Sequence, residues 1–229
     1  MAKRIVFLPT LPDENLLYRE VLVNFEWIAG MAISQARKSV TNLHVAIKDQ
    51  VGARNTLEIS TKSLSDLGIR LSAFNLQVNL DGLVTSVEAA YQSSKVFENG
   101  GPYLDLLNRS SIEAKQDHRL RNSGKIVNFE FENQTWPIRK APNLYDFLYI
   151  RGLLQSNDRQ ELVSFNAFTD IAFSQVSLDY KHGRSYNCQA RSAAMFNSLS
   201  NRMQENEMLD YLQIQGLEGE ELTEQLDLF

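Results

Sequence analysis

The chain predicts a single domain that mixes helices with short strands and hairpins, and three observations carry that expectation. Its 229 residues, 43% hydrophobic and 22% charged, suffice to bury one sizeable core. Apolar residues recur every three or four positions through several long segments, whereas shorter segments alternate with period two. Polar turn pairs, Asp81-Gly82 and Asn133-Gln134, stand beside the alternating runs.

Taken in order, residues 5–8, closed by Pro9, read as a short strand or an extended arm. Val21, Val23, Phe25 and Trp27 alternate with polar or smaller neighbours, the signature of a half-buried strand. Ile33, Ala36, Val40, Leu43 and Ile47 follow helical spacing and predict an amphipathic helix over 32–50, ending near Gly52. Residues 57–60 suit a short strand. Leu71, Phe74, Leu76 and Val78 then lead to the hairpin signal at Asp81-Gly82. Ser86 is an N-cap for a helix running to about Phe97, with Glu88 in the first turn, where the helix dipole favours a carboxylate. Asn99, Gly100, Gly101 and Pro102 break it, and a new helix can start over 103–107. Residues 126–138 suggest a hairpin closed by Pro137. Helical pattern returns over 144–154, 158–165 and 189–203. The expected organisation is an N-terminal arm over 1–20, a main body over 21–204, and a C-terminal helix with an acidic tail over 205–229.

The composition narrows the function classes. A net charge of -5 and a pI near 5.3 provide no global field for nucleic acid or an anionic membrane. Cys188, alone in the sequence, has no disulfide partner and no neighbouring Cys or His for a zinc site, which fits a reduced cytoplasm. No stretch approaches the ~20 apolar residues that span a bilayer, and the first twelve residues, broken by Pro9 and Pro12, do not form a targeting segment. A soluble protein without membrane contact is expected. His44, His118 and His182 form no metal-spacing cluster, so no metal and no cofactor is expected.

Glu88 and Lys95 are the first candidates for chemistry. Seven steps along one helix return a side chain to within ~20° of its starting direction, about 10 Å further along the axis, so the pair can grip two parts of one ligand. On spacing alone an ordinary solvated face is the favoured reading. Gly100 and Gly101 permit positive φ and close backbone approach, and their N–H groups can meet a phosphate or a sugar edge. Ala89, Ala90, Ser93 and Ser94 are small enough to admit a helix or a ligand, while Tyr91 and Phe97 can stack on a base or fill the core. Ser72 and Asn75 stand among apolar residues and need partners if buried. Trp27 and Trp136 read as core aromatics.

The order of residues is more informative than their periodicity. Leu71-Ser-Ala-Phe-Asn75, the Asp81-Gly82 turn and Ser86-Val-Glu-Ala-Ala-Tyr-Gln-Ser-Ser-Lys95 resemble the NADAR family, in which a Leu-Ser-Asn-Phe stretch precedes a Ser-x-Glu-His-Ala-Tyr-Gln-x-x-Lys helix. Further strings are similar to the branch encoded beside DarT-type ADP-ribosyltransferase toxins: Phe25-Glu-Trp27, Ser34-Gln35 with Lys38-Ser39, Val96-Phe-Glu-Asn-Gly-Gly-Pro-Tyr103, Phe168-Thr-Asp-Ile171 and Asn187-Cys-Gln-Ala190. Two departures stand out. Ala73 replaces Asn, and Ala89 replaces the usual His after Glu88. The family's Trp-Gly string is not evident, and residues 187–191 are the segment that can occupy its place.

The resemblance implies a mainly helical α+β enzyme that removes ADP-ribose from modified guanine in DNA, extending to RNA, and acts as antitoxin to the toxin that adds it. It assigns catalysis to Glu88, Lys95 and Asp170. Asp170 can hold ribose hydroxyls or assist proton transfer, or it can simply cap a short helix. Candidate ligand contacts are Ser72, Phe74, Asn75, Ser86, Tyr91, Phe97, Gly100, Gly101, Tyr103, Asn187, Gln189 and Arg191. Lys38 and Lys62 are candidate contacts to strand phosphates or plain solvated lysines. Lys95 either forms a Schiff base with the opened ribose or pairs, charged, with a phosphate of ADP-ribose. The expected partners are the modified nucleic acid, the ADP-ribose product and the cognate toxin. Two alternatives stay open: a non-catalytic antitoxin that occupies its toxin, and an N-glycosidase of a small ribosylated metabolite of the riboflavin pathway.

Overall fold

The computed structural model describes residues 1–30, 32–138, 143–172 and 187–218. The elements run β1 (Ala2–Leu8), β2 (Arg19–Phe25), α1 (Ile33–Val51), β3 (Thr56–Glu58), α2 (Asp66–Arg70), β4 (Gln77–Leu80), β5 (Leu83–Ser86), α3 (Val87–Ser93) and β6 (Lys95–Phe97). A 3₁₀ turn (Leu104–Asn108), α4 (Ser111–Gln116), α5 (Arg119–Asn122), β7 (Ile126–Phe131), β8 (Gln134–Trp136), α6 (Leu144–Gln155), α7 (Arg159–Leu162), β9 (Ala167–Thr169), α8 (Gln189–Ser200) and α9 (Glu205–Glu218) follow. This is the α+β class expected. The outer part of the expected acidic tail, residues 219–229, and His182 lie outside the described residues.

One compact unit comprises Met1–Ser72 with Asn157–Gln204. Its sheet has the order β2-β1-β9-β3, with β1 antiparallel to both neighbours and β3 parallel to β9. Residues 5–8, read as a short strand or an extended arm, therefore belong to an inner strand. Ile5, Val6 and Phe7 are buried in succession, as suits a strand covered on both faces. In β2, Val23 and Phe25 are buried and Leu22 and Asn24 exposed, so the alternation was correctly read. Trp27 was not. It is 38% exposed, lies beyond the strand, and has the Arg4 guanidinium 4.9 Å from its ring centre. Helix α1 turns Val40, Leu43 and Ile47 onto Val6, Val23, Phe25, Ala167 and Ile171. Gly52, at φ 78°, ends it by donating its N–H to the Lys48 carbonyl. The helix expected over 158–165 contracts to the single turn α7, where Asp158 is held by a two-pronged contact from Arg70.

The other unit comprises Ala73–Ser156 and the chain from Glu205 onward. The β4–β5 hairpin turns through Asp81 (φ 51°) and Gly82 (φ 99°), the paired positive values that a two-residue primed turn demands. The β7–β8 hairpin turns at Glu132 (φ 49°) and Asn133 (φ 61°), one residue earlier than the sequence suggested. Tyr91, Phe129 and Tyr145 pack ring to ring, and Trp136 packs on Phe147, 1% exposed as expected of a core aromatic.

Helix α3 is where expectation and structure part. It starts where predicted, with Ser86 Oγ accepting the Ala89 N–H, but every residue of it is buried and it ends at Ser93. Ser93 and Ser94 turn their hydroxyls onto the Ala90 and Tyr91 carbonyls, each at 2.8 Å, which offers the backbone an exit from the helix. Lys95, Val96 and Phe97 then pair with β7 instead of completing about one more turn. Ser86→Ala is expected to cost about 1–2 kcal/mol, because α3 loses its cap and Ser111 Oγ loses a partner at 2.8 Å. The denaturant midpoint should fall with unchanged slope, measured against Ser86→Asp, which keeps an acceptor at the cap.

Candidate active site at the junction of helix α3 and strand β6

The junction folds Lys95 back along α3, replacing the axial separation that a continuous helix would impose. Lys95 Nζ donates to Gln92 Oε1 at 2.7 Å, and Gln92 Nε2 donates to Glu88 Oε1 at 2.8 Å. A neutral amide thus stands between the two residues singled out in the sequence. Glu88 is 2% exposed, which excludes the solvated-face reading, and its second charged neighbour is Lys115 of α4, with Nζ 3.3 Å from Oε1. Lys95 Nζ lies 4.9 Å from the Tyr91 ring centre and Lys115 Nζ 4.7 Å from that of Phe74, so each ammonium meets an aromatic face. Burial pushes the Lys95 amine down to about 8; Glu88 pulls it upward and Lys115 lowers it further.

The strings quoted from the sequence build this geometry. The Glu88 N–H donates to the Ala73 carbonyl at 2.9 Å and that of Val87 to Leu76, which fastens the entry of α3 to the preceding string. Ser111 Oγ lies 2.6 Å from the Phe74 carbonyl, while Asn75 is exposed. Ala89, in the usual place of His, is fully buried against Leu106 and Ala114, so packing dictates a small side chain there. Gly101 has φ 90°, and a Cβ on it would strike the Lys95 carbonyl; one on Gly100 would strike the Tyr103 hydroxyl. Gly101 is thus explained by close approach to the Lys95 strand, and the Gly100 N–H faces the Phe97 carbonyl at 3.4 Å. Phe97 packs beside Tyr103, whose hydroxyl lies 2.5 Å from Ser123 Oγ and whose ring carries Arg119.

The remaining candidates belong to the first unit. Ser72 is buried and donates to the Ile69 carbonyl at 2.7 Å, which satisfies its hydroxyl. Asp170 follows β9; one oxygen accepts the Ala172 N–H at 3.0 Å and the other the Gln189 amide at 3.0 Å. Gln189 also donates to the Ile59 carbonyl at 2.6 Å. Asn187 is half-buried and Arg191 is buried near Cys188, whose thiol is raised well above its usual range by burial. Lys38 is exposed on α1, and Lys62 is half-buried with its N–H on Ser60 Oγ. Among the described residues, no group of three His, Cys, Asp or Glu side chains gathers as a metal site would require. His44 stands beside Thr169, its imidazole lowered to about 4 by burial, and His118 is at the surface.

Beneath Asp170 lies a carboxylate that the sequence reading passed over. Glu58, 1% exposed, accepts Ser60 Oγ and Thr169 Oγ1, each at 2.6 Å, and the Ile171 N–H at 2.9 Å. Burial, and then the negative charge of Asp170, raise it to about 7 against those hydrogen bonds. Between pH 4.5 and 7 the folded chain keeps this proton while the unfolded chain loses it, so the Glu58 contribution to stability falls as pH rises through that window. Burial of neutral His44 acts in the opposite sense from its folded value near 4 up to 6.5, so the effect is read as a difference between proteins. Relative to wild type, Glu58→Gln is expected to gain up to about 3 kcal/mol between pH 4.5 and 7, measured by chemical denaturation across that range. A pH-independent difference would refute this. The signal available in the sequence was a glutamate between Leu57 and Ile59 in a strand-like run, where a charge is costly unless bonded. Gln92 stood in a quoted string without a role, and nothing in the sequence marked Lys115.

Taken together, these features define an α+β protein whose candidate chemistry turns on a desolvated lysine amine held by an amide beside a buried glutamate. The chain belongs to the family of DarT1-associated NADAR antitoxins, whose family model matches residues 2–215. No match was found among curated proteins. The matched span takes in both units, and the family description agrees with the branch that the sequence strings resemble. Among the described residues, no helix is long and apolar enough to cross a membrane.

Proposed function

We propose that this antitoxin is a metal-independent N-glycosyl hydrolase that removes ADP-ribose from ADP-ribosylated guanine in DNA, extending to RNA, and so reverses the modification made by its partner toxin. The observation that carries the reading is the setting of Lys95: its amine faces a neutral amide in a desolvated site and is lowered to about 8. At pH 7.5 roughly one quarter of such amines are uncharged, against about one in a thousand at the ordinary lysine value of 10.5.

In this reading the neutral Lys95 amine attacks the anomeric carbon of the opened ribose. The carbon–nitrogen bond to guanine breaks, and the departing base takes up a proton. The lysine imine that remains is hydrolysed by one water, which releases ADP-ribose and restores the amine. Glu88 stabilises positive character at that carbon and returns the proton. Because the chain is acidic, recognition rests on the ADP-ribose mark and not on sequence-blind affinity for the strand.

The test is release of ADP-ribose from a guanine-modified oligonucleotide by the purified protein, without added metal. Borohydride added during turnover should trap ADP-ribose on Lys95, identified by peptide mass spectrometry. Release without any trapped adduct would leave Lys95 as a charged phosphate partner; turnover of a free ribosylamine without action on the oligonucleotide would move the substrate to a small metabolite.

A further inference from the structure

Glu88 has two lysines within reach and one carboxylate to offer them. Lys115 Nζ approaches Oε1 to 3.3 Å, while Lys95 Nζ is separated from the same oxygen by the Gln92 amide. We infer that Lys115 is a positioning residue for Lys95: by engaging Glu88 as its ion-pair partner, it leaves Lys95 against the neutral amide of Gln92.

The asymmetry between the lysines supports this division. The Lys115 side chain is 49% exposed, so its head group meets water as well as Glu88. Lys95 is half-buried, and its charge must be supported from within the protein. The charged groups acting on Lys95 are Glu88 of α3, which favours its ammonium, and Lys115 of α4, which opposes it. From β7, Lys95 is paired with Phe129, and the neighbouring Glu130 belongs to the alternate face of the strand. From α6, Tyr145 packs on Tyr91, and Asp146 is occupied in the capping box of Asn143. Among the described residues, Lys115 is thus the cation placed to compete with Lys95 for Glu88. Gln92 keeps the competition unequal, since its amide spends its N–H on Glu88 and its oxygen on Lys95.

The catalytic consequence rests on the reading that Lys95 reacts as a free amine, so the experiment measures that amine without any substrate. The full-length protein is acylated with acetic anhydride across pH 6–11, and the midpoint of labelling at Lys95 is read by peptide mass spectrometry. Lys115→Met should move the Lys95 midpoint upward from about 8 by about 0.5 pH unit or more, whereas Lys115→Arg, which keeps the charge, should leave it in place. Lys115→Gln provides a second neutral variant should the methionine protein fail to fold. An unchanged Lys95 midpoint in a folded neutral variant overturns the assignment, as does an arginine variant that shifts like the methionine one. A shifted midpoint in a protein that releases no ADP-ribose supports the role of Lys115 while refuting the proposed reaction. Where release occurs, its rise with pH should move by the same interval in Lys115→Met, an effect that a merely structural lysine would not produce.

Discussion

Lys95→Ala is expected to reduce release of ADP-ribose from a modified oligonucleotide by on the order of a thousandfold or more, because it removes the nucleophile on which the covalent route depends. The fold should survive. Lys95 begins an edge segment of three residues, and its side chain is not wholly buried. Lys95→Arg separates the two roles of the residue: it preserves a cation for a phosphate but stays protonated at any accessible pH. If Lys95→Arg retained a tenth or more of the activity, with no adduct trapped in the parent protein, the Schiff-base route would be abandoned. In the wild type the rate should climb as pH rises towards about 8 and level beyond it, since the reactive form is the deprotonated amine.

Glu88→Gln should cost roughly 10²–10⁴-fold in rate, the range expected on removal of a group that handles protons and charge at the reacting centre. The substitution preserves size, retains an acceptor for the Gln92 amide, and frees the half-exposed Lys115 into solvent, so thermal stability should change little. It also removes the carboxylate that favours the Lys95 ammonium, so the amine should titrate lower than in the wild type. A variant with a more readily deprotonated Lys95 and little activity would place the defect in the carboxylate. Cells expressing the toxin supply the complementary measurement. Failure of rescue by folded Lys95→Ala and Glu88→Gln proteins agrees with an enzymatic antitoxin, whereas rescue by both would show that this antitoxin works by occupying its toxin.

Much of the local structure was legible in the residues themselves. Ser86 was readable as a cap because a hydroxyl accepting from the third residue beyond it is a local device, and Asp81-Gly82 was readable as a turn because few residue pairs tolerate two positive φ angles. The buried stripe of α1 and its stop at Gly52 follow from spacing and from one glycine. Trp27 was misread because alternation continues past the residue at which pairing with β1 stops, at Phe25. Residues 5–8 left strand and arm both open because seven residues cannot announce the strands that will flank them; β2 and β9 arrive from eleven and more than a hundred residues away.

The candidate site divides in the same way. By itself the sequence determined the identities at stake, Glu88 and Lys95 behind the Ser86 cap, and the strings that place the chain among NADAR antitoxins. Only the tertiary structure decided how those residues meet. Helix α3 stops at Ser93 because β7 offers Lys95–Phe97 a partner strand from thirty residues further on, and that bend inserts Gln92 between acid and amine. Lys115 and Glu58 acquire their significance from neighbours that the fold supplies, Glu88 for one and Asp170 with Thr169 and Ile171 for the other. Caps, turns and periodicity act within a few residues and can be read along the chain, whereas strand pairing, burial and the fields of charges depend on distances that exist only after folding.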